Sequence, residues 1–292
     1  MRRPGLLAAF LAARFGAGDG DEPAAQDDDE GSGGPQFDPP EGIGVERDLA
    51  YGEHPAQRLD VYRPRTAPNG GVIVLVHGGG WRRGDKAGQR LVRNKVSHWV
   101  GRGWILASIN YRLLPDAGPV VQADDVARAL GFIQDRCAAW GADAASCVLM
   151  GHSAGAHLVA LLAADGAIAG RQGARPWMST IAIDTAAYDL VALMQARHFG
   201  LYDEAFGADS QYWREASPMH RLQAPPAAPL LMVCSSRRDD ACGPAQAFAG
   251  RIQALGGQAR VLPVDLGHFE INRQLGLDPA YTAAVDAFLA GD

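Results

Sequence analysis

Short apolar runs alternate with segments of helical periodicity from residue 72 onward. The run at 72–77 is almost continuously apolar, which is typical of a parallel strand buried on both faces. Segment 120–139 instead carries Ala129, Leu130 and Ile133 at helical spacing. This alternation predicts an α/β fold, with a mostly parallel sheet covered by helices on both faces. The predicted strands cover residues 45–51, 58–62, 72–77, 104–109, 147–150, 179–183, 229–234 and 260–264.

Between the predicted strands at 179–183 and 229–234, residues 190–221 have no clear period. Residues 188–222 are rich in aromatic residues and Met, and we expect no large separate cap domain. This segment is the part of the chain that can cover a pocket. Its large side chains either line an acyl or aryl site or belong to the core, and we expect most of them in the core. They are Tyr188, Met194, Phe199, Tyr202, Phe206, Tyr212 and Trp213.

Negative charge is concentrated at the start of the chain. The whole chain has a net charge of −6, and residues 1–41 hold three Arg and nine Asp or Glu, so the remainder is neutral. Residues 18–41 nearly lack large apolar side chains, which predicts a disordered linker. The apolar run at 6–13 follows two arginines and indicates an export signal, hence a secreted or periplasmic protein; without export it is cytoplasmic. The folded domain is predicted to span 42–292.

Composition also excludes several classes of partner. There is no Lys/Arg-rich run for nucleic acid, and no apolar stretch has the length of a membrane span. The four cysteines form no Cys-x-x-Cys pair or zinc pattern, so we predict no metal. They are either buried thiols or two local disulfides, Cys137–Cys147 and Cys234–Cys242.

A candidate nucleophile lies at the end of the apolar run 147–150. The pentapeptide Gly-His-Ser-Ala-Gly at 151–155 follows this run and precedes a helical segment at 156–164. A strand, a tight turn and a helix form the context in which Gly-x-Ser-x-Gly exposes a serine hydroxyl. Both glycines are required because a Cβ would crowd the turn. We therefore predict Ser153 as the nucleophile.

A nucleophilic serine also needs donors for the oxyanion that develops on the substrate. Three glycines at 78–80 follow the buried run 72–77 and allow close backbone approach. We predict the amides of Gly79 and Gly80 as donors, with that of Ala154 as the third. Each such donor contributes about 2.7–4 kcal/mol to transition-state stabilisation.

The base and the acid are predicted downstream of Ser153. His268 is the one histidine beyond residue 220, and it follows the last predicted strand. Its imidazole is suited to accept the serine proton and return it to the leaving group. The acid is predicted in the loop after the 229–234 strand, where Asp239 and Asp240 are adjacent. We favour Asp240, with Asp239 left as a surface charge, although the residues alone leave both open.

The ordered motifs resemble the α/β-hydrolase carboxylesterases. They are His-Gly-Gly-Gly-Trp at 77–81, Ile-Asn-Tyr-Arg-Leu at 109–113, the pentapeptide at 151–155 and His268. The hormone-sensitive-lipase-like group and the bifunctional feruloyl and acetyl-xylan esterase-like group are the most similar, and kynurenine formamidases share the glycine turn. The resemblance implies an α/β-hydrolase fold, a Ser–Asp–His triad, no cofactor and a small-molecule ester substrate. Many of these enzymes have a His-Gly or Gly-rich turn before the acid, where this chain has Cys-Ser-Ser-Arg-Arg at 234–238.

These features predict a serine carboxylesterase that hydrolyses short-chain or aryl carboxylic esters through an acyl-enzyme. An amidase of the arylformamidase type would use the same triad and is the main alternative. A non-catalytic binding protein on a hydrolase scaffold is the other alternative, and a missing triad member would be its mark. The sequence supplies a candidate for every member, so catalysis is the interpretation that we favour.

Overall fold

The computed structural model of the chain describes residues 37–292. The predicted export signal and most of the predicted acidic linker lie outside these residues. The described part forms one eight-stranded sheet in the order β1-β2-β4-β3-β5-β6-β7-β8. The strands are β1 (Ile43–Ala50), β2 (Arg58–Pro64), β3 (Val72–Val76), β4 (Ile105–Ile109), β5 (Cys147–His152), β6 (Ser179–Ile183), β7 (Leu230–Ser235) and β8 (Ala259–Val264).

The sheet is antiparallel at one edge and parallel elsewhere. β2 pairs antiparallel with both β1 and β4, whereas the pairs from β4 to β8 are parallel. The carboxyl ends of the parallel strands therefore meet at a single edge, where α/β sheets place their ligands. This arrangement confirms the mostly parallel sheet that the sequence predicts.

Helices connect the strands and cover both faces of the sheet. None of the helices in the described residues is long and apolar enough to cross a membrane. The helices are α1 (Gln89–Trp99), α2 (Pro119–Trp140), α3 (Ala154–Ala164), α4 (Gly166–Arg171), α5 (Leu190–Gln195), α6 (Gly200–Phe206), α7 (Ser210–Ala216), α8 (Pro218–Arg221), α9 (Cys242–Ala254), α10 (His268–Gln274) and α11 (Pro279–Ala290).

Strand β3 shows how the apolar sequence builds two cores. Its five side chains are fully buried, and successive side chains of a strand point to opposite faces. Val74 packs in the core that contains α2, α3 and α9, whereas Ile73 and Leu75 pack with α1, α10 and α11. Burial of each such side chain contributes about 1.5–3 kcal/mol. A continuous apolar run is therefore required at this position.

The segment predicted to be irregular forms the short helices α5 to α8 between β6 and β7. Tyr188, Met194, Tyr202 and Phe206 are buried there, whereas Phe199 is exposed. The segment packs on the same core as α3 and adds no separate domain to the described structure. This result confirms the expectation that most of the large side chains of the segment are core residues, and within residues 37–292 the segment forms no large cap.

Candidate active site

Ser153 lies on a sharp turn at the carboxyl edge of the sheet. β5 ends at His152 and α3 begins at Ala154, so the turn consists of Ser153 alone. Its backbone has φ 54° and ψ −117°, a conformation that costs a residue with a Cβ about 1–3 kcal/mol. The Ser153 amide donates a hydrogen bond to the Ile183 carbonyl at 2.9 Å, which holds the turn against β6. The sheet thus supports a strained serine.

The two glycines of the pentapeptide are required by close backbone contacts. A Cβ on Gly151 would lie 2.3 Å from the carbonyl oxygen of Gly155. A Cβ on Gly155 would lie 2.4 Å from the carbonyl oxygen of Val76 and 2.6 Å from that of His77. The end of β3 therefore passes directly beside the serine turn, and this contact brings the glycine turn at 78–80 close to Ser153.

Ser153, His268 and Asp184 form one hydrogen-bonded series. Ser153 Oγ donates to His268 Nε2 at 3.0 Å, and His268 Nδ1 donates to Asp184 Oδ2 at 2.6 Å. Nδ1 carries the ring proton because an ionised carboxylate only accepts hydrogen bonds. This tautomer leaves Nε2 free to accept a proton from the serine, as a general base must.

Asp184 is a buried carboxylate at the end of β6, with φ 54°. Its Oδ1 accepts a hydrogen bond from the Ser235 amide at 2.8 Å, and its Oδ2 accepts a second one from Arg238 Nη1 at 2.7 Å. Burial raises the pKa of Asp184, but the hydrogen bond from His268 and the charges of His268 and Arg238 outweigh it, so the pKa lies well below its usual value. Asp184 is therefore ionised at neutral pH.

The acid predicted from the sequence lies elsewhere. Asp239 and Asp240 are both exposed at the protein surface. Asp240 Oδ2 accepts a hydrogen bond from Arg238 Nη2 at 3.0 Å. The structure therefore corrects the prediction of Asp240, and its alternative Asp239, because Asp184 is the carboxylate that contacts His268. Arg238 occupies the space on the β7 side of the imidazole.

A signal for Asp184 was present in the sequence. Asp184 follows its buried strand directly, as His77 and Ser153 follow theirs. The predicted chain order directed attention to the loop after the next strand instead. The register of the sheet supplies what the pattern lacked, since His152 pairs with Ile183. Ser153 and Asp184 directly follow these two partners, so they project from neighbouring positions at the edge of the sheet.

The glycine turn has the backbone conformation that a close approach to a ligand needs. Gly79 has φ 110° and Gly80 has φ 59°, values that side chains with a Cβ rarely adopt. A Cβ on Gly80 would meet only open space, whereas the His77 ring at the start of the turn donates to the Gly78 carbonyl at 2.7 Å. The turn is thus ordered at its start and open at Gly80.

The side chain of His152 holds the backbone of His268 in place. His152 is buried, and its Nε2 donates to the His268 carbonyl at 2.9 Å, with ring centroids 4.7 Å apart. Burial lowers the pKa of His268, the hydrogen bond to Asp184 opposes this, and the charges of His152 and Arg238 lower the pKa further. The net shift keeps His268 neutral over a wider pH range.

His157 is packed between the glycine turn and the segment that follows β6. It is buried between the indole of Trp81, which donates to its Nδ1 at 3.2 Å, and the carbonyl of Ala216, which accepts from its Nε2 at 2.7 Å. Burial lowers the pKa of His157 to about 4, so it stays neutral near pH 7. His157 therefore ties the residue after the glycine turn to the segment that covers the sheet edge.

An aromatic cluster lies between the glycine turn and α6. Trp81 contacts Phe206 at a centroid distance of 4.9 Å and Tyr202 at 5.8 Å. An ion pair between Arg82 and Glu204 joins the same two elements at the surface. α6 is thus held next to the turn by apolar packing and by a charge pair.

A disulfide closes the loop after β7. Cys234 and Cys242 are bonded to each other, and the loop between them carries Arg238. Cys137 and Cys147 are separate buried thiols with sulfur atoms 3.9 Å apart. One of the two disulfides that the spacing left open is therefore formed, and it lies beside the candidate site.

The mostly parallel sheet with helices on both faces is the fold of the α/β-hydrolase class. Esterase B from Lactobacillus Rhamnosis superposes with a TM-score of 0.70 at 20% sequence identity, and the match covers 87% of this chain and 86% of the esterase. At this identity the likeness concerns the fold alone. The chain has the α/β-hydrolase fold that the motifs predicted.

Sequence comparison identifies more particular relatives. Residues 59–182 match the family model BD-FAE. A probable isoprenylcysteine alpha-carbonyl methylesterase of Arabidopsis thaliana is 30% identical over 240 residues, which are 75% of this chain and 49% of the relative. A probable carboxylic ester hydrolase of Mycobacterium tuberculosis is 36% identical over 123 residues, which are 40% of this chain and 27% of the relative. The chain spans about half the length, or less, of these two relatives, and the matches confirm its resemblance to α/β-hydrolase esterases.

Proposed function

We propose that the chain is a serine carboxylesterase that hydrolyses short-chain or aryl carboxylic esters. The observation that carries the proposal is the hydrogen-bonded series from Ser153 through His268 to Asp184, beside the glycine turn at 78–80. This is the arrangement of a nucleophile, a base and an orienting carboxylate. Its relatives in sequence are named as ester hydrolases, which supports the same class of reaction.

The first step forms an acyl-enzyme. Ser153 Oγ attacks the ester carbonyl carbon while His268 Nε2 takes the hydroxyl proton. The imidazolium then carries a positive charge that the ionised Asp184 stabilises through Nδ1. His268 returns the proton to the departing alkoxide, and the alcohol leaves. The proton that leaves Ser153 Oγ thus ends on the released alcohol, and the step needs no cofactor.

The second step releases the acid. A water molecule gives a proton to His268 and attacks the acyl carbon, and the proton then returns to Ser153 Oγ. In both steps negative charge develops on the carbonyl oxygen. We assign its stabilisation to the amides of Gly79, Gly80 and Ala154, because the turn lies beside the serine and is open at Gly80.

Turnover of p-nitrophenyl acetate tests the proposal directly. Ser153→Ala and His268→Ala should each lose activity by several orders of magnitude, because each removes a group that acts in both steps. Thermal unfolding would show that the variants are folded. A fluorophosphonate probe should label the wild type at Ser153 and should not label Ser153→Ala.

Two results would contradict the proposal. Wild-type turnover in Ser153→Ala would exclude Ser153 as the nucleophile. Faster hydrolysis of N-formyl-kynurenine than of p-nitrophenyl acetate would favour an amidase that uses the same residues. A series of p-nitrophenyl esters of increasing acyl length would then define the acyl group, together with acetylated and feruloylated sugars.

A further inference from the structure

Arg238 contacts both Asp184 and His268, the acid and the base of the candidate triad. Its Nη1 lies 2.7 Å from Asp184 Oδ2 and 2.9 Å from His268 Nδ1, and its Nη2 lies 3.0 Å from Asp240 Oδ2. The side chain is 24% exposed, so much of the guanidinium is shielded from water. The arginine therefore links a buried carboxylate at the end of β6 to an exposed one in the loop after β7.

The contact between Arg238 and His268 is a contact between two donors. Both nitrogens donate to the same oxygen of Asp184, so neither accepts from the other. A guanidinium cannot be deprotonated in a protein, so its charge is present at every working pH. A second positive charge on the imidazole is therefore formed next to a permanent one, and like charges disfavour it.

The charged groups around His268 either favour or oppose protonation of its imidazole. Asp184 on the β6 side favours the imidazolium, whereas His152 on the β5 side and Arg238 on the β7 side disfavour it. Glu270, on the same helix as His268, accepts from the Gly267 amide and pairs with Arg237. Arg238 is thus the permanent cation in contact with the imidazole among the described residues.

The loop that carries Arg238 is fixed at both ends. The disulfide between Cys234 and Cys242 closes it, and Ser235 Oγ donates to the Leu266 carbonyl at 2.6 Å, just before His268. The same Ser235 donates its amide to Asp184. The position of the guanidinium is therefore determined by the backbone as well as by its own hydrogen bonds.

We propose that Arg238 is a positioning residue that holds Asp184 and sets the pH range of the reaction by opposing protonation of His268. The inference rests on the proposed function, since it assigns His268 as the base. The chain thereby keeps a neutral base at a lower pH than a triad without such an arginine. Asp240 is an exposed counter-charge that partly neutralises Arg238.

The test is the pH dependence of kcat/KM for p-nitrophenyl acetate. Arg238→Gln keeps an amide donor for Asp184 but removes the charge, so the acid limb should move to higher pH by about 1 unit. That shift is a loss of about tenfold in kcat/KM on the acid limb. Arg238→Lys retains the charge and should keep the limb near its wild-type position.

Arg237→Gln is the matched control. Arg237 lies on the same loop, is half exposed and pairs with Asp265 and Glu270, so its loss removes the same charge without removing a contact to His268. Its acid limb should stay within about 0.3 units of the wild type. An equal shift in Arg237→Gln and Arg238→Gln would reduce the effect to net charge and overturn the proposal.

Asp240→Asn gives a second test that does not depend on how well Arg238→Gln folds. The bond from Arg238 Nη1 to Asp184 still holds the guanidinium beside His268, while a neighbouring negative charge is lost, so the acid limb should move the opposite way, to lower pH. An unchanged limb in both variants would overturn the role of Arg238. Failure of the proposed function is distinguishable, because the wild type itself would then lack esterase activity and fluorophosphonate labelling.

Discussion

Replacement of Asp184 by Asn should show whether Asp184 or Asp240 is the carboxylate that His268 needs for catalysis. An asparagine at this position still accepts from the Ser235 amide through Oδ1, so the fold has little reason to change. Its Nδ2 would however face His268 Nδ1 and Arg238 Nη1, which are both donors. The tautomer with the proton on Nε2 is then favoured, because its Nδ1 can accept a hydrogen bond from the new amide. A protonated Nε2 faces Ser153 Oγ and cannot accept the hydroxyl proton.

The expected loss is large because the wrong tautomer disables the base. The same change in a serine protease triad lowers kcat about 10⁴-fold, which corresponds to about 5 kcal/mol of transition-state stabilisation. Asp240→Asn removes only an exposed ion pair with Arg238, a contact worth about 0.2–1 kcal/mol. It should therefore lower the plateau value of kcat/KM by no more than about fivefold.

The assay is kcat/KM for p-nitrophenyl acetate on the alkaline plateau of each variant. Circular dichroism and thermal unfolding serve as controls for the fold. A loss of less than tenfold in Asp184→Asn would refute the assignment of this carboxylate. A loss of more than a hundredfold in Asp240→Asn would return the acid to the loop after β7, where the sequence had predicted it.

Three further predictions concern stability. Replacement of both Cys234 and Cys242 by Ser should lower the free energy of unfolding by about 2.5 kcal/mol, from a sequence separation of 8, as measured in urea. Gly155→Ala should destabilise the fold by about 1–3 kcal/mol and reduce turnover, because its Cβ would lie 2.4 Å from the Val76 carbonyl oxygen; an unchanged melting temperature would contradict this. The lowered pKa of Asp184 stabilises the fold above about pH 4, and this contribution is lost as the pH falls through the folded-state pKa, so the wild type's advantage in unfolding free energy over Asp184→Asn should shrink in acid.

The sequence predicted most of the scaffold because burial acts on each element locally. Five apolar residues in succession require a strand covered on both faces, and β3 has them at Val72–Val76. Helix α2, Pro119–Trp140, covers the segment 120–139 in which the sequence shows helical spacing. The serine turn and the position of His268 after β8 were predictable for the same reason, since a glycine pair and the end of the last strand are local features.

Asp184 was not predictable in this way, because its role depends on neighbours that are distant in the chain. Its position directly after β6 is a local signal, but an aspartate after a strand is common, and this signal alone does not select Asp184 over the carboxylates in the loop after β7. What distinguishes Asp184 is the approach of His268 at 2.6 Å and of Arg238 at 2.7 Å. Those contacts arise from the order of β6, β7 and β8 in the sheet, which the pattern of apolar residues does not specify.

The register of β5 and β6 explains why Ser153 and Asp184 lie side by side. Both have φ 54°, and they follow residues that are partners in the parallel ladder. Each strained residue is held by the next strand, since the Ser153 amide donates to Ile183 and the Asp184 amide donates to Val233 at 2.7 Å. A residue with a Cβ persists at positive φ only where its surroundings determine it fully. The ladder of hydrogen bonds therefore fixes Ser153 and Asp184, the proposed nucleophile and acid, by the same means, and His268 contacts both of them.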